Sequence, residues 1–287
     1  MELSFWGVRG CIAAPGPEFV RYGGNTNCVT VRAGDDLAIF DAGTGIIQLG
    51  RSLMGEGFGK GQGKASLFLT HAHWDHIQGF PFFGPVFVPG NQITIYGSCS
   101  SPEMLEGIFE GQMNPHFMPV QSLRNLGASI DFCALEPDEE RRVGALRVRG
   151  RFNLHGRVSA FAFRVEHGEG DALRSLVYAP DAEYPQGAPP EALLELYAGA
   201  DVLIHDSTYS PEDYEARVGR GYSSIAHAAR AAALAGVGKL ALFHYDQDYT
   251  DDQLDALAAR GRELLDGEAG GTKVELVAAR EGLTLTI

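Results

Sequence analysis

His71-Ala72-His73-Trp74-Asp75-His76 sets four potential metal ligands within six residues, directly after the apolar run from Ala65 to Thr70. Neutral imidazole nitrogens and a carboxylate suit zinc and its neighbours in the first transition series, and this mixture suits a catalytic centre better than a purely structural one. Side chains alternate along a strand, so His71 and His73 point the same way if the chain stays extended, and His76 then needs a turn. As surface histidines in a polar loop, the same residues would leave several polar groups poorly satisfied at the end of a buried strand. The chemistry they point to is metal-dependent hydrolysis.

The spacing His-x-His-x-Asp-His resembles the signature of the metallo-β-lactamase superfamily. That resemblance implies three more ligands: a lone histidine, an aspartate after a strand, and a last histidine after a strand near the C-terminus. The matching positions are His155 in Phe152-Asn153-Leu154-His155-Gly156, Asp181 at the end of Leu176 to Asp181, and His244 at the end of Leu240 to His244. The resemblance further implies that His71, His73 and His155 hold one cation and Asp75, His76 and His244 the other, with Asp181 between them. Two divalent ions ~3.5–4 Å apart can share a hydroxide and stabilise both oxygens of an in-line displacement, for which phosphodiester hydrolysis is the natural use. Zinc is the expected metal, with manganese and iron as alternatives.

Further matches narrow the branch. Arg21 to Cys28 contains Gly-Gly-Asn-Thr, and Phe40 to Gly45 contains Asp-Ala-Gly-Thr-Gly. Both are similar to segments of the RNase Z-like and cyclic-phosphodiesterase-like members. Leu203 to Tyr209 resembles the His-Glu-Ala-Thr segment of RNase Z, and Gly221-Tyr222-Ser223-Ser224 stands where that family has Gly-His-Ser-Thr. An aspartate rather than a cysteine at 181 sets the chain apart from the lactamase branch, and histidine rather than glutamate at 73 sets it apart from the flavodiiron oxygen reductases. Asp41 is either a partner of a metal-bound histidine or a turn residue.

Two departures matter. The family's acid and histidine near the leaving group correspond here to Asp206 and Tyr222, so proton donation is expected from Tyr222, from Asp206 or His205, or falls to the metals; Asp75 completes the candidate catalytic set. The long basic arm with which RNase Z grips transfer RNA has no counterpart. A small substrate, such as a cyclic nucleotide or ribose cyclic phosphate, is therefore preferred to folded RNA. The alternatives are an RNA 3′-processing nuclease, a carboxyl-ester, thioester or lactam hydrolase on the same metals, and a metal-stabilised sensor or binding module without turnover.

The elements that position these residues follow from periodicity. Short strands and helices alternate through all 287 residues without low-complexity sequence or repeats, as in a single α/β unit. Strands are expected at Glu2 to Trp6, Asn27 to Arg32, Asp36 to Asp41, Ala145 to Phe152 and Lys239 to Phe243, and helices at Gly45 to Met54, Ser223 to Ala235 and Asp251 to Leu265. Each expected ligand beyond the first cluster falls at or just past a strand end. The resemblance implies the four-layer αββα sandwich of the metallo-β-lactamase fold across residues 1–287. Glu110 to Val120 reads as an aperiodic loop too apolar for free solvent, suited to a lid or wall over the metal cleft, or else to a packed surface loop or an oligomer contact. Gly55 to Lys64 is glycine-rich but lacks the positions of a phosphate-binding P-loop.

Composition excludes other classes. A hydrophobic content of 45% supports a buried core, and a net charge of −14 argues against a general polyanion-binding surface. Six arginines and no acidic residue lie between Arg141 and Arg157. Arg147, Arg149 and Arg151 among them read as a solvated strand face rather than a substrate phosphate contact. Cys11, Cys28, Cys99 and Cys133 form no CxxC pair, so reduced thiols are expected. Without an apolar run of ~18 residues or a charged leader, the default location is the cytoplasm and no membrane partner is expected.

Overall fold

The computed structural model describes every residue except 117, 120 and 121. The strands are β1 (Glu2–Gly7), β2 (Cys28–Ala33), β3 (Asp36–Phe40), β4 (Lys64–Phe68), β5 (Gln92–Gly97), β6 (Ser129–Ala134), β7 (Arg141–Val143), β8 (Leu146–His155), β9 (Val158–His167), β10 (Arg174–Ala179), β11 (Val202–Asp206), β12 (Lys239–Phe243), β13 (Glu275–Ala278) and β14 (Thr284–Thr286). They form two seven-stranded sheets among the described residues, ordered β14-β1-β2-β3-β4-β5-β6 and β13-β12-β11-β10-β9-β8-β7. The helices are α1 (Gly45–Met54), α2 (Trp74–Ile77), α3 (Pro102–Gln112), α4 (Glu191–Tyr197), α5 (Pro211–Glu215), α6 (Ile225–Ala235) and α7 (Asp251–Gly267). Helices α1 and α3 lie against the first sheet, and α6 and α7 against the second, giving the αββα sandwich.

Strand β3 illustrates the layering. Ala38 and Phe40 point between the sheets, where Phe40 meets Phe68, Phe163 and Tyr178. Leu37 and Ile39 point the other way and pack with Ile46, Leu49 and Leu53 of α1, whose spacing of three and four residues puts them on one helical face. A strand buried on both faces has to be apolar throughout, and Leu-Ala-Ile-Phe is. Helix α7 begins at a capping box in which Thr250 accepts from the Gln253 amide and Gln253 accepts from the Thr250 amide.

Two expectations change. The helix Pro102–Gln112 precedes and overlaps the supposed loop; Ser101 accepts from the Met104 amide and Pro102 fills the first turn, a start signal present in the sequence. Gln112 and Met113 at its end are buried, Met113 packing with Leu105 and Phe109, so this part of the segment is packed rather than free loop. Residues 117 and 120 of the lid expectation lie outside the described residues. Two of the three arginines of the row are engaged: Arg151 reaches Asp138 at 2.6 Å and Glu195 at 2.7 Å, and Arg147 reaches Glu166 at 3.5 Å. The four cysteines are free thiols. No helix among the described residues is long and apolar enough to cross a membrane.

Candidate metal centre

The expected ligands gather at one edge of the sandwich. Three residues past β4 the chain reaches His71; His73 immediately precedes α2, and that single turn brings Asp75 and His76 inward. His155 ends β8, Asp181 follows β10 by two residues and His244 follows β12 by one. Strand β8 is antiparallel to β9 and β9 to β10, while β10, β11 and β12 are parallel. The carboxyl ends of β8, β10 and β12 therefore share an edge, where open α/β sheets collect ligands. Asp41 and His244 both have φ of 60°. This left-handed backbone is uncommon outside glycine and carries strain of order 1–3 kcal/mol, held in place by its surroundings.

The donor atoms form three overlapping groups, each lying within 4.8 Å: His71, His73 and His155; His71, His76 and Asp181; and Asp75, His76 and His244. Asp181 is central. One carboxylate oxygen lies 3.1 Å from His76 Nε2, and the other lies 3.4 Å from His244 Nε2. Both oxygens, and His71 Nε2, are buried without a hydrogen-bond partner. A buried carboxylate with neither oxygen satisfied is costly, and the mixed nitrogen and oxygen donors around it fit divalent transition-metal cations.

A second layer turns the ring nitrogens inward. His76 Nδ1 lies 2.7 Å from Asp41 Oδ2, and His155 Nδ1 lies 2.7 Å from the carbonyl of Gly221. Each partner is an acceptor, so each Nδ1 carries the proton and Nε2 presents its lone pair. His244 Nδ1 meets Thr208 Oγ1 at 3.0 Å, and that hydroxyl donates to Asp206 Oδ1 at 2.7 Å. Asp41 also accepts from the Thr70 amide and hydroxyl and from Tyr178. Asp75 Oδ2 accepts from the Cys11 amide at 2.9 Å and Asn27 Nδ2 at 3.1 Å. Thr70, Thr208, Asn27, Tyr178 and the Gly221 carbonyl were not singled out from the sequence, and only the Asp41 alternative pointed to this layer.

The N-terminal segment closes one side. Gly10 packs on the His244 ring so closely that a Cβ there would lie 2.2 Å from Cε1. It is held by bonds from the Gly10 amide to the Tyr245 carbonyl and from the Tyr245 amide to the Val8 carbonyl. Arg9, fully buried, donates to the carbonyls of Gly23, Asp246 and Tyr249 and faces Asp251 at 3.9 Å.

Charge in the cluster is mutually compensated. Burial opposes ionisation of Asp181, but His244, His76, His155 and His71 outweigh it and hold the carboxyl below its usual range. Burial would likewise lower His76, yet Asp75, Asp41 and Asp181 hold its pKa well up. Burial dominates at His71 and keeps that ring neutral.

The candidate proton donors separate. Tyr222 lies over the cluster: its ring stacks on His244 with centroids 5.4 Å apart and meets His155 edge-on at 5.1 Å, while its hydroxyl is 3.3 Å from Cys11 Sγ. Burial, with the Asp181 charge, pushes the phenol pKa up, so the proton is retained. Asp206 is fully buried and accepts from the amides of Ala182, Thr208 and Ser223 and from the Thr208 hydroxyl. Burial nevertheless brings it up to about 7. It reaches the cluster only through Thr208. His205 is not brought to the site: Nδ1 faces the Asp206 carbonyl at 2.7 Å and Nε2 the Tyr184 hydroxyl at 2.8 Å, and burial lowers its pKa to about 4. Its side chain continues into the second sheet's core, which removes it as a proton donor.

Comparisons with known proteins agree with this fold. The profile of the Beta-lactamase superfamily domain matches residues 38–245. A Ribonuclease Z of Haloferax volcanii is 28% identical over 281 residues, covering 83% of this chain and 85% of that protein. The short form of human tRNase Z superposes with a TM-score of 0.64 at 20% identity, covering 100% of this chain and 99% of the other. Zn2+-bound PqqB from Methylobacterium extorquens gives 0.68 at 14% identity, with 100% of both chains covered.

Proposed function

We infer that this chain, which belongs to the β-lactamase superfamily and is a metal-dependent hydrolase, cuts phosphodiester bonds as one catalytic unit spanning residues 1–287. The observation that carries this is Asp181, whose two buried oxygens lack hydrogen bonds and face histidines on either side. In this reading His71, His73 and His155 hold one cation, Asp75, His76 and His244 a second, and Asp181 both, with zinc the metal best suited to the donors. Two such cations, when bound, supply an activated water and charge neutralisation at phosphorus. The chain's own residues do the rest: Asp41, Thr208 and the Gly221 carbonyl fix ring orientation, and Tyr222 keeps a proton at the cleft within reach of a departing alkoxide.

The Ribonuclease Z relatives favour RNA as the carrier of that bond over the cyclic nucleotide or ribose cyclic phosphate that the sequence alone pointed to. A small phosphodiester stays the second reading on one observation: the net charge is −14 and Arg147 and Arg151 are already paired with acids. Metal-reconstituted protein assayed against RNA with a 3′ extension, cyclic nucleotides, bis(p-nitrophenyl) phosphate, thioesters and lactams decides. RNA cleavage with steep salt dependence supports the first reading, and cleavage of small diesters alone supports the second. Turnover of thioesters or lactams with no phosphodiester cleaved overturns both.

A further inference from the structure

Beside the ligand cluster lies a cavity of about 270 Å³ that shares His71 and His73 with it. Its walls are Leu69, Leu105 and Ile108, with Met104 and Val158 at the opening. Gly97 makes the cavity: a Cβ there would come within 2.8 Å of Leu105, so glycine lets α3 lie against the end of β5 and form the far wall. Met104 is 55% exposed and Val158 42% exposed, which leaves two apolar side chains in water at the entrance. Ser98 and Ser159 also line the cavity.

We propose that this cavity is a nucleobase subsite, holding the base of the nucleoside esterified to the phosphate that the metal centre cleaves. The proposal rests on the phosphodiesterase reading and adds where substrate selectivity arises. Apolar walls suit a π-face, and a thioether at the rim packs adaptably on aromatic rings. Two hydroxyls can donate to or accept from base edges without choosing one base. The volume is below the ~300–1,000 Å³ of drug-sized pockets, so it admits one ring system rather than a stack of bases. Because His71 and His73 border both spaces, a phosphate at the cluster carries its nucleoside to the cavity mouth.

The test holds the leaving group constant. Metal-loaded protein is assayed on methyl p-nitrophenyl phosphate and on the 5′- and 3′-(p-nitrophenyl phosphate) esters of thymidine, and binding of thymidine monophosphates is compared with that of methyl phosphate. Met104→Glu and Val158→Asp change exposed side chains and leave the ligand cluster intact; Met104→Ala and Val158→Ala are milder controls. At least a tenfold preference in kcat/KM for one nucleoside ester, lost in the charged variants while the methyl ester rate is unchanged, is the expected result. Equal kcat/KM for nucleoside and methyl esters, or variants that slow both alike, overturns the subsite. If no ester is cleaved, the phosphodiesterase reading fails, and binding then decides the cavity: tighter binding of a thymidine monophosphate that is lost in Met104→Glu upholds it, and equal binding removes it.

Discussion

The Tyr178 hydroxyl donates across the sandwich to Asp41 Oδ2 at 2.9 Å, joining the strand that leads to Asp181 to the carboxylate that orients His76. One bond thus ties the two sheets at the level of the ligands. Tyr178→Phe is expected to cost about 1 kcal/mol of stability and to weaken metal binding by roughly 10–100-fold, as loss of an outer partner typically does. Competition with a chromogenic chelator measures this; unchanged affinity would leave the bond a purely structural tie.

Asp181→Ala should lower bound metal at both positions, because its two oxygens face histidines of both groups. Elemental analysis is expected to fall from about two ions per chain to less than one, with phosphodiesterase activity lost. A folded variant that kept full metal content would remove Asp181 from the centre.

Gly10→Ala tests the close approach of the N-terminal segment. A methyl group aimed at the His244 ring must displace it, at about 1–3 kcal/mol if the fold accommodates it. The expected outcome is native-like circular dichroism with lost metal and activity. Full activity would mean that the ring has room to move.

His205 predicts an acid sensitivity separate from the metal ligands. Its folded pKa, lowered to about 4 by burial, lies below the ~6.5 of an unfolded histidine. The unfolded chain therefore binds the proton first, and stability present above about pH 6.5 is lost progressively as pH falls towards 4, by up to about 3 kcal/mol. The fall in urea midpoint between pH 7 and pH 4.5 should be smaller in His205→Asn than in the parent protein; an equal fall in both would assign the loss to other groups.

Tyr222→Phe removes only a hydroxyl above the centre. Proton donation typically contributes 10²–10⁴-fold, so an alkyl or ribose leaving group should slow far more than p-nitrophenolate. Equal losses would indicate positioning, and no loss would make the ring a packing element against His244.

The candidate ligand cluster was legible because its residues sit at strand ends, and strands such as Lys239–Phe243 announce themselves by uninterrupted apolar sequence. What supports the ligands was not. Thr70, Thr208 and Tyr178 act through partners up to 137 positions away, as Tyr178 does with Asp41, and no periodicity encodes such a pairing. His205 misled because adjacency to Asp206 suggested a shared role, whereas neighbours on a strand point to opposite faces. The ion pairs of Arg147 and Arg151 were hidden for a related reason: their acidic partners Asp138, Glu166 and Glu195 come from other segments.

The bonds that seat Gly10 against His244 join residues 8–10 to residues 245–249. During synthesis, the first of these segments waits for almost the whole chain before its partner exists. Contacts of such sequence separation form late and slow folding, and a ligand set spread from His71 to His244 cannot bind its cations as a unit until they do. Metal uptake should accordingly be among the last events in maturation, and nascent chains truncated before His244 should bind metal weakly even though the first ligand cluster is complete.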